Sequence, residues 1–372
     1  MKFDNLKKVR VLYNSKEVGI LSKTTKGHAA FQYSKHWIET GFSISPFSLP
    51  LVDKVFIADS EPFDGLFGVF NDSLPDGWGR LLVDRYLKQN NVNPGEIGFL
   101  ERLTLLSSNA MGGIEYEPMH LEESGNLSFD LDHIKKEFER ILNTEDMCNM
   151  DQYLQMAGSS GGARPKIHTQ VDGKDWIIKF PSSFDRPDIG KEEYDYSLAA
   201  KECGIEMTET RLFASKITSG YFGTERFDRK DGRRVHVISA SGLLEASHRY
   251  PSIDYEHLFK ASLLLSKDDR DLKKIFKLMC FNIYAHNMDD HSKNFSFLYE
   301  EGKGYRFSPA YDLTYSSTFY KEHSTSVSGY GKPNDEIILS IGRKYISEND
   351  AKRIMRDIKE IVSVNLSRYL FV

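Results

Sequence analysis

Apolar and polar residues alternate along the first part of the chain, which is the period of a β-strand. The segments VRVLY and VGILS flank NSKE, and this arrangement is typical of a β-hairpin, while AAFQYS predicts a further strand. LPDGWGRLLVDRYLKQN predicts a helix that opens at Pro75 and Asp76 and carries Leu81, Leu82 and Tyr86 on one face. The first hundred residues are therefore expected to be rich in β-structure.

The middle of the chain mixes both periods. SFDLDHIKKEFERIL carries an apolar stripe at helical spacing, and a glycine-rich stretch then leads into two strands joined by Asp172 and Gly173. A helix is predicted over GKEEYDYSLAAKECG, ending at Gly204, and strands follow around TRLFAS, YFGTERFD and RRVHVIS. This pattern indicates an α/β region built on a hairpin.

Beyond Gly242 the helical period dominates. DLKKIFKLMCFNIYAHN predicts a buried helix, FSFLYEEGKGYRFSPAYDL a hairpin, and SENDAKRIMRDIKEIVSV a last helix capped by Ser347. A small sheet lobe followed by a helical lobe resembles a protein kinase, and the expected fold class is α+β, two-lobed and protein-kinase-like. Its expected parts are a β-rich amino-terminal subdomain (1–120), an α/β lobe with a glycine-rich loop (121–234) and a helical lobe (235–372).

Composition narrows the class of protein. The 372 residues exceed one typical domain, and 49 basic against 54 acidic residues give a net charge of −5. That balance argues against a generally basic nucleic-acid-binding surface, although a local basic patch remains open. Cys148, Cys203 and Cys280 form no CxxC pair and are expected to be apolar fillers. Without an apolar run suited to a signal peptide or a membrane span, a soluble, cytoplasmic protein is expected.

The glycine loop, AGSSGGARPK (residues 157–166), can turn successive backbone N–H groups toward an anion. Its spacing fits neither the Walker A pattern nor GxGxxG, and a purely structural turn explains it when it is taken alone. Lys166 begins the next strand, and Lys179 lies inside the apolar run WIIKFP. An ammonium that reaches a phosphate would explain Lys179, and a lysine on the solvent face beside Ile177 is the alternative.

A polar segment, YAHNMDDHSKNFSF (residues 284–297), follows the predicted buried helix. Asp289 and Asn294 are five positions apart, as are the catalytic aspartate and the magnesium-binding asparagine of a kinase loop. Asp312 in SPAYDLTYS comes just after a strand, where a second metal-binding aspartate is expected. Phe295 and Phe297 are expected to anchor the segment to the helical lobe.

A metal-dependent hydrolase is the competing interpretation of the polar segment. His286, Asp289, Asp290 and His291 could bind a transition metal through mixed nitrogen and oxygen ligands. That interpretation leaves the glycine loop, Lys179 and Asp312 without a role.

The segments SSGGARPK, WIIKFP, ERFDR, DDHSKNFSF and PAYDLT, in that order, resemble the HipA family of bacterial serine/threonine kinases, the toxin half of toxin–antitoxin modules. FSLPL and FNDSLPDGWG are similar to the amino-terminal subdomain of that family. The resemblance covers nearly the whole chain and implies ATP and Mg²⁺ as cofactors.

The resemblance assigns roles to individual residues. Asp289 would be the catalytic aspartate, and Asn294 and Asp312 would bind magnesium. Ser159 would be the autophosphorylated serine, and its added charge is expected to repel ATP and open the loop. The nucleotide-binding residues would be Ser160, Gly161, Gly162, Ala163, Lys179, Glu225, Phe227, His291 and Lys293. This chain carries Arg164-Pro165 where some members carry Gln-Glu, which leaves the loop geometry open.

The resemblance also implies partners. They are a small helix-turn-helix antitoxin, through which DNA would be contacted indirectly, and a protein substrate such as an aminoacyl-tRNA synthetase. A catalytically inactive, kinase-like corepressor remains the alternative from another class.

Overall fold

The computed structural model describes residues 6–105, 110–118, 130–143, 150–158, 161–266 and 268–370. The strands in these ranges are β1 Lys8–Tyr13, β2 Lys16–Lys23, β3 Ala29–Tyr33, β4 Phe56–Ile57, β5 Ile114–Glu117, β6 Lys166–Val171, β7 Lys174–Lys179, β8 Thr210–Phe213, β9 Tyr221–Glu225, β10 Arg229–Lys230, β11 Arg233–Arg234, β12 Val237–Ser239, β13 Ser296–Glu300 and β14 Gly304–Phe307. The α-helices are α1 Lys35–Thr40, α2 Gly68–Asn71, α3 Gly77–Gln89, α4 Phe99–Leu105, α5 Leu131–Leu142, α6 Met150–Ala157, α7 Ile189–Glu202, α8 Ala240–Leu243, α9 Tyr255–Leu265, α10 Asp269–Tyr284, α11 Asp335–Tyr345, α12 Glu348–Asn365 and α13 Ser367–Leu370. Short 3₁₀-helices span Pro94–Glu96 and Ser292–Asn294.

An antiparallel sheet of order β4-β3-β2-β1-β5 forms the amino-terminal region. The β1–β2 turn consists of Asn14 and Ser15, which have φ angles of 47° and 65°. Two consecutive positive φ angles suit the right-handed twist of a hairpin, so the predicted hairpin forms with a two-residue turn. β5 arrives from about a hundred residues later and pairs with β1, with Ile114 opposite Tyr13.

A second antiparallel sheet has the order β6-β7-β9-β8. The β6–β7 hairpin turns at Asp172 and Gly173, as predicted, with φ angles of 53° and 77°. In its register Lys166 lies opposite Lys179. Because residues directly opposite in an antiparallel pair project to the same face, both ammonium groups lie on one side of the sheet.

Within the described ranges the buried apolar residues form two clusters, and α3 belongs to the second one. Trp78 of α3 packs edge-on against Phe138 of α5 at 4.7 Å between ring centroids, and Phe138 packs on Phe180 at 5.2 Å. The predicted limit of the first subdomain at residue 120 stays a prediction. The packing connects α3, which precedes residue 120, to the β6-β7-β9-β8 sheet, which comes after it.

The first cluster joins the amino-terminal sheet to the helical lobe. The predicted buried helix is α10, which Asp268 caps, and Ser347 caps α12 as expected. The predicted β13–β14 hairpin gains a third strand, because Val237 of β12 pairs with Leu298 of β13. The resulting α+β architecture is the predicted one, β-rich at the start and mainly helical at the end.

Two smaller expectations can be compared with the structure. Cys203 and Cys280 are free and buried, as expected for apolar fillers, while Cys148 lies outside the described residues. Among the described residues no helix combines the length and the apolar character that crossing a bilayer requires.

Candidate active site

A cavity lies where the amino-terminal region, the β6–β9 sheet and the polar segment meet. The predicted site residues that line it are Gly161, Gly162, Ala163, Lys179, Glu225, Phe227, His291, Lys293, Asn294 and Asp312. Residues from distant parts of the sequence therefore converge on one cleft.

Lys179 lies between two carboxylates at the end of β7. Its Nζ is 2.5 Å from Oε1 of Glu193 and 2.5 Å from Oδ1 of Asp312. Although burial favours the neutral amine, the two carboxylates hold the pKa of Lys179 above its usual value. The ammonium is therefore kept charged and fixed in the cavity, and the solvent-face alternative for Lys179 is wrong.

Glu193 was missed by the sequence analysis. It lies on α7, the helix after the β7 lysine, and its side chain is only 3% exposed. A lysine on a strand paired with a glutamate on the next helix is the ion pair of an assembled kinase site. The signal available in the sequence was the adjacent pair of glutamates in GKEEYDYS, placed on the helix that follows the lysine strand.

Asp312 adopts a left-handed backbone conformation, with φ of 58°. Non-glycine residues adopt this region rarely, and such conformations cluster at functional sites. Burial opposes ionisation of its carboxyl group, but Lys179 and Lys166 hold the pKa of Asp312 below its usual range. Asp312 is therefore an anion aimed into a cluster of cations.

Lys166 is a second buried lysine beside Lys179. Its Nζ donates to the carbonyl oxygen of Gly161, and an added Cβ on Gly162 would lie 3.0 Å from that nitrogen. Burial, together with the charge of Lys179, lowers the pKa of Lys166 to about 8. Gly162 has φ of 100°, a conformation that glycine adopts without strain. The loop backbone thus wraps around a desolvated lysine.

Arg164 anchors the end of the glycine loop. Its guanidinium group donates through Nε and Nη2 to the carboxylate of Asp185, at 3.1 Å for the closest contact of each nitrogen. Asp185 also accepts from the backbone and hydroxyl groups of Ser182. The Arg164-Pro165 departure therefore has a defined geometry: it ties the loop to the segment after β7.

Asp289 and Asn294 meet within the polar segment. Asn294 Nδ2 donates to the carbonyl oxygen of Asp289 at 2.7 Å, and the Asp289 N–H donates to Ser316 Oγ at 2.9 Å. Burial raises the pKa of Asp289, and neighbouring Asp312 raises it further against the opposing effect of His291. Asp289 does not line the cavity, but Asp312 is close enough to interact with it electrostatically. A raised pKa suits a carboxylate that accepts a proton.

His291 and Lys293 hold the shape of the polar segment. His291 Nδ1 accepts from the Lys293 N–H at 3.3 Å, which caps the short 3₁₀-helix Ser292–Asn294. Tyr311 donates its hydroxyl to the Lys293 carbonyl oxygen at 2.7 Å. Phe295 and Phe297 are buried beneath this segment, as predicted for its anchors.

Asp290 has partners that leave it no metal-binding role. Its carboxylate accepts from the Tyr255 hydroxyl at 2.9 Å and the Thr325 N–H at 3.2 Å, and it contacts His323 Nδ1 at 3.2 Å. It is completely buried. In the described part of the chain, no three or more histidine, cysteine, aspartate or glutamate side chains are grouped to hold a metal. His286, Asp290 and His291 therefore do not assemble the site that the hydrolase interpretation needs.

The ERFDR segment borders the cavity along its length. Glu225, Arg226, Phe227 and Asp228 all line it, and Arg226 and Asp228 also form a buried, two-point ion pair with contacts of 2.8 and 2.7 Å. Asp228 also accepts from the Gly112 N–H at 2.7 Å, which fixes the segment before β5 against the cavity. Despite burial, Arg226 keeps the pKa of Asp228 below its usual range.

Ser159 and Ser160, the predicted autophosphorylation site and its neighbour, lie outside the described residues.

Comparison with known proteins gives two family matches along the chain. The family described as "HipA-like C-terminal domain" matches residues 158–365, and the "HipA N-terminal domain" matches residues 9–117. A chain in the solved complex of the Shewanella oneidensis MR-1 toxin–antitoxin system, which holds HipA, HipB and operator DNA, superposes with a TM-score of 0.72. That match has 17% identity and covers 98% of this chain and 91% of that chain.

Two bacterial relatives are each 23% identical to this chain over their matched residues. One, from Sinorhizobium fredii, is named "Putative kinase Y4dM" and matches over 187 residues, which are 47% of this chain and 45% of that protein. The other, from Haemophilus influenzae, is named "Putative kinase" and matches over 241 residues, which are 58% of this chain and 67% of that protein. This chain thus spans less than half the length of the first relative.

The fold and the convergent lysine and carboxylate side chains define a kinase-like protein. Because the matched carboxyl-terminal family covers more than half of the sequence, the chain belongs to the HipA family.

Proposed function

We propose that the chain is an ATP-dependent serine/threonine protein kinase that acts as a growth-inhibiting toxin. The observation that carries the proposal is Lys179, whose ammonium lies 2.5 Å from both Glu193 and Asp312 in a cavity roofed by a glycine loop. The names of the two relatives support kinase activity.

The residues present fit ATP and magnesium. The cavity has cationic lysines on one face of the sheet and a glycine loop at its edge, which suit a polyphosphate. The oxygens of Asp312 and Asn294 are the hard ligands that Mg²⁺ prefers. ATP with Mg²⁺ would supply the phosphoryl group and part of the neutralising charge.

Each side chain then has a distinct task. Lys179 binds phosphate oxygens, and Glu193 holds that lysine in place. Phe227 and Glu225 border the adenine ring of the nucleotide. Asp289, with its raised pKa, accepts the proton of the acceptor hydroxyl. In such a site most of the rate enhancement comes from positioning and fixed charges.

The proposal extends to partners. The chain's HipA-family membership, and the HipB and operator DNA present with the Shewanella protein, support a small antitoxin that would contact DNA on behalf of this chain. The proposed acceptor is a serine or threonine of a translation component, such as an aminoacyl-tRNA synthetase. Autophosphorylation at Ser159 would add charge next to the phosphates and end the activity.

The test is incubation of the pure protein with labelled ATP and Mg²⁺, followed by intact mass before and after phosphatase. We expect added phosphate that is lost in Asp289→Asn and retained in Asp269→Asn, an exposed aspartate at the start of α10. Transfer that is independent of Asp289 would refute the assignment of the base. Nucleotide binding with no transfer would refute the kinase and favour the inactive corepressor.

A further inference from the structure

Asp76 connects three parts of the molecule through one carboxylate. Its Oδ1 accepts from the Gly162 N–H of the glycine loop at 2.8 Å, and its Oδ2 accepts from Lys293 Nζ of the polar segment at 2.7 Å. Asp76 itself belongs to the amino-terminal region, 86 residues before the glycine and 217 before the lysine. His248 Nε2 lies 3.9 Å from Oδ2, and burial lowers the pKa of His248 to about 4, so its ring is neutral near pH 7.

The position of Asp76 makes this bridge unusual. Asp76 is the N-cap residue of α3, where a short polar side chain normally accepts an N–H of its own helix. Asp130 and Asp268 do so at the starts of α5 and α10. Asp76 makes no such bond and uses its carboxylate on Gly162 and Lys293 instead. The helix therefore begins without its side-chain cap.

The backbone around Asp76 is fitted to the same loop. The Trp78 N–H donates to the Gly162 carbonyl oxygen at 3.1 Å, so Gly162 is held at both its N–H and its C=O. A Cβ added to Gly77 would lie 2.3 Å from that carbonyl oxygen, so only glycine permits the approach. Trp78 is buried in the second apolar cluster, which fixes this turn to a rigid base.

We infer that Asp76 is a positioning residue for phosphoryl transfer, which sets the glycine loop and Lys293 at a fixed separation across the cavity. The inference rests on the proposed function and assigns part of the active-site geometry to the amino-terminal region. The hydrogen bonds of Gly162 with Asp76 and with the Trp78 N–H set the distance between the glycine loop and the phosphates. The ion pair holds the Lys293 ammonium at the cavity wall, where a free lysine would sample several rotamers.

Two substitutions separate the two contacts. Asp76→Asn keeps an oxygen for the Gly162 N–H and removes the charge that holds Lys293, whereas Asp76→Ala removes both. Asp130→Ala is the matched control, because it deletes an N-cap aspartate that serves its own helix. In the full chain with Mg²⁺ and ATP, we expect Asp76→Asn to lower kcat about tenfold with KM for ATP within about twofold. Asp76→Ala should lower kcat similarly and raise KM about tenfold, and Asp130→Ala should change neither.

A second measurement does not depend on catalysis. Amine-reactive labelling, followed by peptide mass spectrometry, reports the accessibility of the Lys293 ammonium. We expect faster labelling of Lys293 in both Asp76 variants and an unchanged rate in Asp130→Ala. Displacement of a fluorescent ADP analogue by ADP should weaken in Asp76→Ala more than in Asp76→Asn.

The outcomes distinguish this inference from the proposed function. If the wild-type chain transfers no phosphate, the kinase proposal fails. Lysine labelling and ADP displacement still test whether Asp76 holds Gly162 and Lys293 in place. Unchanged Lys293 labelling in both Asp76 variants would overturn the inference, whether or not the protein is a kinase. So would wild-type kcat and KM in Asp76→Ala.

Discussion

Replacing Lys179 by methionine removes the cation that lies between two carboxylates. Methionine keeps most of the apolar stem, so the change isolates the charge. The Lys179 side chain is 13% exposed and that of Glu193 is 3% exposed, so this pair is shielded from water. Removing one partner of a buried ion pair costs about 3–5 kcal/mol, because the other charge stays desolvated. Asp312 is 38% exposed, so solvent screens its contribution and we assign it no further loss.

The stability loss of Lys179→Met should depend on pH, in a direction set by the pKa values of Glu193 and Asp312. In the wild type, burial raises the pKa of Glu193 and Lys179 opposes that rise, while Lys179 helps to keep the pKa of Asp312 low. In Lys179→Met the pKa of Glu193 rises further above its value in the unfolded chain, while the pKa of Asp312 rises toward its unfolded value because Lys166 still lowers it. The folded variant then binds more protons than the unfolded one, and its stability increases as pH falls. The deficit relative to the wild type should therefore shrink between about pH 7.5 and about pH 5.5.

The assay is urea unfolding of the full chain at both pH values, with m-values compared to verify that the same transition is followed. Lys174→Met is the control, because Lys174 lies on the same strand and contacts two carboxylates, those of Glu209 and Glu225, in solvent. We expect the control to lose far less stability. An equal loss in the two variants, or a deficit for Lys179→Met that does not change with pH, would refute the reasoning.

Three further perturbations follow from the geometry. Asp290→Ala leaves Tyr255 and the Thr325 N–H without their buried acceptor, so urea unfolding should show a loss of about 3 kcal/mol; a loss under about 1 kcal/mol would contradict this. Burial raises the pKa of Glu245 to about 6, so the folded wild type gains stability as pH falls through that value. Glu245→Gln should flatten the dependence of the free energy of unfolding on pH between about pH 4.5 and pH 6.5, and an unchanged dependence would contradict this. Gly162→Ala places a Cβ 3.0 Å from Lys166 Nζ at a φ of 100°, so binding of a fluorescent ADP analogue should weaken about tenfold, whereas Gly173→Ala, at an open turn, should bind normally.

Local chemistry was sufficient to predict most elements. The Asp172-Gly173 turn and the Ser347 cap were correctly predicted because turn and cap preferences depend on neighbours in sequence. A strand was predicted in RRVHVIS, which contains β12, but its pairing with β13 was not, since that pairing depends on segments about sixty residues apart.

The site was only partly accessible from sequence. Lys179, Asp289, Asn294 and Asp312 were selected through motif spacing and family resemblance. Lys179, Asn294 and Asp312 line one cavity and Asp289 does not, a difference that could not follow from periodicity. Asp76 shows the limit most clearly: its position at a helix start was predicted, but its carboxylate bridges two distant segments. Such a role depends on tertiary contacts that no local pattern encodes.

The packing of α3 against α5 and α6 also constrains how the chain is made. The indole of Trp78 leaves the ribosome before Phe138, on which it packs, and before Phe180, which packs on Phe138. Phe180 is synthesised about 100 residues after Trp78, a delay of roughly 5–20 seconds at ordinary elongation rates. During that interval an amphipathic helix with a large aromatic face has no native surface to cover it. The nascent chain should therefore be a client of ribosome-associated chaperones until the second hairpin emerges.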